Sequence, residues 1–176
     1  MIQDDNDAVF EPEANFASID EQAQQCIKRY TMGSMAVGVV PFPIVDMATL
    51  AALQMKMLHS LSKLYNVEFK ANLSKSAISA LIGSLAPVYS AAPVAASLAK
   101  FIPFVGTTVS YSSLVVLNGA STFAIGKVFQ QHFASGGTLL NFNPESVRSY
   151  FTEQYEKGKA AVQNMKKTDQ QRDDPT

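Results

Sequence analysis

The stretch SAISALIGSLAPVYSAAPVAASLAKFIPFVGTTVSYSSLVVLNGASTFAIG, Ser76–Gly126, holds one charged side chain, Lys100, in 51 residues. An ordinary globular segment of that length would carry roughly a dozen. Lys100 divides it into uncharged runs of 24 and 26 residues, Ser76–Ala99 and Phe101–Gly126. A helix needs about 20 apolar residues to cross a bilayer's hydrocarbon core, so each run is long enough to span. Lys75 and Lys127 border the pair. A hairpin would place both on the cytoplasmic side, with Lys100 snorkelling to water at the far turn. Pro87 and Pro93 in the first run, and the Ser, Thr and Asn content of the second, weaken both as spans. The expectation is a central hydrophobic hairpin, either inserted in lipid or buried in a helical bundle that inserts conditionally.

Composition leans the same way. The chain of 176 residues is 47% apolar and 16% charged and lacks Trp, with a mean hydropathy of +0.05. Its net charge is −1, unevenly placed: −5 over residues 1–29, +4 over 30–135 and zero over 136–176. The excess lysines are scattered rather than clustered, which excludes a nucleic-acid footprint. A single cysteine, Cys26, excludes an internal disulfide and fits a reducing compartment. Acidic residues follow Met1, the opposite of a secretory leader, so cytoplasmic termini are expected.

Outward from the uncharged stretch the pattern is helical, and the fold class is all-α, a bundle of about five helices. Residues 1–17 and 168–176 are polar and aperiodic, with too little apolar content to order. Ser18 and Glu21 have capping-box spacing, so a first helix is expected from Ser18 until Pro41-Phe42-Pro43 stops it. A second spans 44–65 and a third begins near 72–76. A long helix covers Thr107–Ala134 and ends at Gly136-Gly137, as a left-handed cap would. Residues 18–134 thus form the membrane-associated domain. A final amphipathic helix, 143–167, opens with Asn143 as N-cap and Pro144 at its first position.

The second helix carries the sharpest pattern. Thr49, Ala52, Lys56, His59, Ser60 and Lys63 share one face at 100° per residue, and Met47, Leu50, Leu58, Leu61 and Tyr65 share the other. Gln54 falls inside the apolar stripe. A buried carboxamide needs partners, so Gln54 is expected to bond another helix or the carbonyls freed near Pro41. Asp46 sits in the first turn, where the helix dipole favours a carboxylate. Asp46 and Gln54 read either as a cap and a core amide or as contacts to a ligand or partner.

The segment VVPFPIVDMATLAALQMKMLHSLSKLYNV resembles the YcjF-like, GTPase-associated membrane domain of unknown function, through Pro41, Pro43, Asp46, Leu50, Gln54, Met57 and Tyr65. Lys100–Thr107 (KFIPFVGT) and Thr122–Phe133 (TFAIGKVFQQHF) are similar to further segments of that family. A weaker likeness to EcsC-type proteins covers the same proline-to-tyrosine region. The resemblance implies a helical membrane module beside or fused to an Era-like GTPase, with no reaction of its own. It implies a bacterial inner or internal membrane as location, and lipid and a GTPase as partners.

The chain's own candidate for nucleotide binding fails. Six residues separate Gly119 from Gly126-Lys127 and Val128 follows, where a phosphate loop needs four and then Ser or Thr. The GTPase is therefore expected to be a separate protein. His59 and His132 lack neighbours at metal-ligand spacing. Cys26 has no base and orienting group in sequence, and no nucleophile elbow occurs. No enzyme activity, cofactor or metal is expected.

Two helical faces remain. Gly119, Thr122 and Gly126 continue a stripe from Ser112 and Val115 at spacings of three and four, which lets two backbones approach closely in a membrane or in a core. A second copy of the chain is one possible neighbour. On the last helix Val147, Tyr150, Phe151 and Gln154 have the spacing that a partner's groove reads, and equally the spacing of a stripe packed on its own bundle.

Overall fold

The computed structural model describes residues 12–37, 43–85 and 107–172. They form five helices: α1 (Pro12–Val37), α2 (Pro43–Leu64), α3 (Ala71–Ser84), α4 (Thr107–Ala134) and α5 (Arg148–Arg172). No strand occurs among the described residues. Pro41, Pro87, Pro93, Lys100, Pro103 and Gly106 lie outside them, and with them the turn of the expected hairpin.

α4 is the hub, packing against every other helix. From Asn118 to Gln130 all of its residues except Phe123 and Lys127 are buried. A helix enclosed on all sides excludes charge whatever surrounds it. The uncharged composition of Asn118–Gly126 is thus accounted for by burial inside the chain's own bundle. Among the described residues no helix is long and apolar enough to cross a membrane.

α1 runs antiparallel to α4, with Asp20 beside Gln130 and Ser34 beside Asn118. α2 runs parallel to α4, with Gln54 at Thr122 and Met57 over Gly126. The core between them holds Ile27, Met57, Leu58, Leu61, Ile125, Phe129 and, from α5, Phe151, each with at most 1% exposure. Burying such a side chain is worth about 1.5–3 kcal/mol. α3 seals one side with Ser74, Ala77, Ile78 and Leu81 at i, i+3, i+4, i+7, and Arg148 donates to the Ser84 carbonyl at 3.2 Å.

The stops are local chemistry. Gly136 adopts φ +80°. Its N–H donates to the Phe133 carbonyl and that of Gly137 to the His132 carbonyl, both at 2.9 Å. That is the double bond of a left-handed carboxyl cap. Asn66 (φ 52°) closes α2 in the same way, with the Val67 N–H on the Ser62 carbonyl at 2.7 Å.

Three boundaries differ from the sequence reading, one being that α5 runs on to Arg172, past the expected end at 167 and into the tail read as too polar to order. α1 begins at Pro12, so Ser18 and Glu21 lie inside it rather than forming a capping box at its start. Pro at a first helical position is pre-set for the helix, and this signal overrides the later Ser. Asn143 does cap, its side-chain oxygen accepting the Glu145 N–H at 3.0 Å. It opens a separate turn over 144–147, and α5 itself starts at Arg148.

Candidate functional site

α4 turns an unusual row toward α1 and α2: Asn118, Thr122, Gly126 and Gln130, four residues apart and all buried. Polar or absent side chains therefore stand where a core helix ordinarily places aliphatic ones. Each meets a defined neighbour. Ser34 donates to the Asn118 carbonyl at 3.3 Å and to the Thr31 carbonyl at 2.7 Å. Gln54 donates to the Thr122 hydroxyl at 3.3 Å. A methyl group on Gly126 would stand 2.7 Å from Ile27 Cγ1 and 3.2 Å from Met57 Sδ. Two polar atoms at the Ser34 end, Thr31 Oγ1 and Asn118 Nδ2, are buried without a hydrogen-bond partner.

At the other end of the row Gln130 bridges two charges. Its carboxamide N–H donates to the Asp20 carboxylate, and its oxygen accepts from the Lys127 ammonium at 3.0 Å. Gln24 donates to the second Asp20 oxygen at 2.8 Å. Tyr65, closing α2, brings its hydroxyl to the same carboxylate without a well-formed hydrogen bond. Burial, and then the Asp20 charge, push that phenol above its ordinary range. Burial pulls the Lys127 ammonium below the ordinary lysine value, and Asp20 pushes it partly back. Two shallow clefts, of about 390 and 370 Å³, share Gln24 and Lys127. The first is lined by α1 and α4, and the second also reaches Tyr150 of α5.

This cluster unites α1, α2 and α4, yet of its members only Tyr65 stood out in the sequence as a site residue. Asp20 and Gln130 are 110 residues apart. The legible signal was Gln130 continuing the row of Gly126 and Thr122.

Of the remaining candidates, Gln54 and Gly119 have packing roles. Gln54 bonds another helix, at Thr122; Pro41 is outside the described residues, and Pro43 and Asp46 open α2. Gly119 lets Val162 and Met35 close over α4, since a methyl there would stand 2.7 and 3.0 Å from them. Of the two readings of the stripe on the last helix, the structure shows the one packed on its own bundle rather than a face open to a partner. Phe151 is 0% and Gln154 6% exposed, and Val147 and Tyr150 pack on the same core. The four are apolar or polar by the same spacing that α4 needs to be covered. Burial raises the Cys26 thiol above its ordinary value against the nearby Arg29 charge, which is the reverse of an activated nucleophile. His59 lies tilted against Phe69 with ring centres 4.7 Å apart, and His132 Nε2–H donates to the Thr138 carbonyl at 2.9 Å. Among the described residues no group of three His, Cys, Asp or Glu is placed to hold a metal.

Residues 15–160 match the family described as domain of unknown function DUF697. Magnetosome membrane protein 22 of Magnetospirillum gryphiswaldense is 38% identical over 147 residues, 84% of this chain and 75% of that protein. No solved structure matches. The matched span takes in most of α1, the whole of α2, α3 and α4, and the greater part of α5, so the helices that build the polar row and its cover are those the family shares, and this chain belongs to the DUF697 family.

Proposed function

We propose that this chain is a non-catalytic, membrane-associated helical protein that anchors or scaffolds a process run by a separately encoded GTPase. The observation that carries the membrane part is its similarity, over 84% of its length, to a protein named for the magnetosome membrane. The GTPase part rests on the resemblance of the Pro41–Tyr65 segment. The location is a bacterial inner or internal membrane, with the charged helix faces in the cytoplasm.

The enclosure of α4 favours one form of this reading. Its second half is already covered by α1, α2, α3 and α5. The outer faces of α1 and α5 carry Glu21, Lys28, Arg29, Glu153, Glu156 and Lys157, all exposed. Charges are costly in hydrocarbon. The bundle therefore stands in water beside the bilayer, and the uncharged sequence between α3 and α4 makes the lipid contact. Fractionation of cells followed by a carbonate wash tests this. Recovery in the membrane pellet with release by the wash is the expected result, and retention after the wash favours a spanning hairpin. Recovery in the unwashed supernatant overturns membrane association.

A further inference from the structure

α1 and α2 lie antiparallel, and two contacts fix their register. Leu53 closes on Gly33, 3.3 Å from a methyl placed there, and the Tyr30 and Ser60 hydroxyls meet at 3.2 Å. In that register the charge of both exposed faces stops at one level. The last charges of α1 are Lys28 and Arg29, and the exposed Met32 and Ala36 follow them. On α2 the exposed Ala48, Ala51 and Ala52 precede Lys56, which stands about one turn from Arg29 along the bundle. Beyond that level, toward Val37 of α1 and Pro43 of α2, Asp46 is the one charged residue of the two helices. It lies in the first turn of α2, where free N–H groups favour a carboxylate.

α4 starts at this same end with Thr107 and carries no charge before Lys127. Two large apolar side chains stand open there, Met32 at 53% and Leu117 at 44%. α5 runs toward the same end past Val162, with Lys166, Lys167 and Arg172 against the single Asp169. The opposite end mixes both signs: Asp20 and Glu21 on α1, Lys70 paired with Glu68 at 3.4 Å, and Glu145 and Arg148 ahead of α5. Leu140, 69% exposed, is set among those charges. Among the described residues Lys28, Arg29 and Lys56 have no ion pair, and Glu21 is two turns back from Lys28. An apolar end bounded by unpaired cations is the order of a surface seated on an anionic bilayer. A second copy of the chain would set one cationic rim against another with no acid to pair it.

We infer that the bundle docks on an anionic membrane by the end where α1 closes and α2 opens, with Met32, Ala51 and Ala52 at the acyl boundary and Lys28, Arg29 and Lys56 at the headgroups. This rests on the membrane-association reading and adds to it which end of the bundle meets the lipid.

The chain has no Trp, so a Trp placed at an exposed position reports its surroundings. Full-length Met32→Trp, Ala52→Trp and Leu140→Trp are floated with vesicles of phosphatidylcholine and phosphatidylglycerol that contain brominated lipid. Blue-shifted, quenched emission is expected at 32 and 52 and neither change at 140. Lys28→Gln/Lys56→Gln should lower binding about 25-fold, fivefold for each basic residue at an anionic surface. Lys75→Gln, on α3 at the other end, should change it by much less, and a loss equal to that of the pair would overturn the cationic rim. Quenching at 140 but not at 32 and 52 would reverse the orientation and overturn the inference. Flotation without quenching at any of the three would give the lipid contact to the sequence between α3 and α4 alone, overturning the docking end while membrane association stands. A blue shift at 32 and 52 that grows with protein concentration in the absence of vesicles would assign the face to a second copy. Failure to float with any vesicle would overturn both readings.

Discussion

Gln54 on α2 and Thr122 on α4 meet side chain to side chain at 3.3 Å, neither more than 1% exposed. The bond fixes the register of two parallel helices at their midpoints, where apolar contacts alone would tolerate sliding. Gln54→Leu removes the donor but leaves a hydroxyl that can turn to a backbone carbonyl of its own helix. A loss of about 1 kcal/mol is expected. Gln54→Leu/Thr122→Val removes both polar groups and should restore most of it. Urea midpoints for the two singles and the double give the coupling; strict additivity would deny the bond any energetic role.

Glycine replacements should divide by their surroundings. At Gly126 a methyl meets Ile27 at 2.7 and 2.9 Å, and at Gly83 it meets nothing within 4 Å. Gly126→Ala is expected to cost about 1–3 kcal/mol through overpacking, relieved in part by Ile27→Val. Gly83→Ala keeps only the propensity gain of about 1 kcal/mol and should stabilise. Thermal melts that move in the same direction for both would refute the close α1–α4 approach.

α5 is part of the fold rather than a detachable arm, since Phe151 is 0% exposed and Val162 closes over Gly119. Phe151→Ala should cost about 3–5 kcal/mol. A chain ending at Asn141 should lose its cooperative melt, because α4 is then uncovered along one side. Circular dichroism that shows an unchanged melting transition in the truncated chain would contradict this. Loss of partner binding on that truncation therefore reports unfolding unless the melt is intact.

Alkaline stability should follow Cys26. Its folded value is raised above the ordinary 9.0, mainly by burial. The folded state therefore holds its proton more tightly than the unfolded chain. The stability it contributes is complete below 9.0 and falls as pH rises through the folded value. Cys26→Ser should flatten the decline in Tm that begins there. Tyr65 and Tyr150, both raised from 10.0, add a second decline above that pH which the variant leaves in place. Alkylation of Cys26 in the native protein should be slow near neutral pH, and rapid labelling would contradict its burial.

What the residues determined by themselves was short-range. The all-α class, the two faces of α2, the stop at Gly136-Gly137 and the cap at Asn143 follow from periodicity, left-handed glycine and side-chain capping, each complete within about one turn. The start of α1 escaped because Pro12 and Ser18 send competing local signals. Only the tertiary structure decided what the last part of the uncharged stretch, Asn118–Gly126, meets. An absence of charge reads alike for a helix among lipids and for one among other helices, and α4 is enclosed by its own chain from Asn118 to Gly126 except at Phe123. The same holds for the α5 stripe, whose spacing fits a partner's groove or α4 equally well. The Asp20–Gln130–Lys127 bridge was beyond any sequence pattern, because its members are brought together only when α1 lies antiparallel on α4. Long-range pairing is set by which surfaces fit in three dimensions, and spacing along one helix carries no record of it.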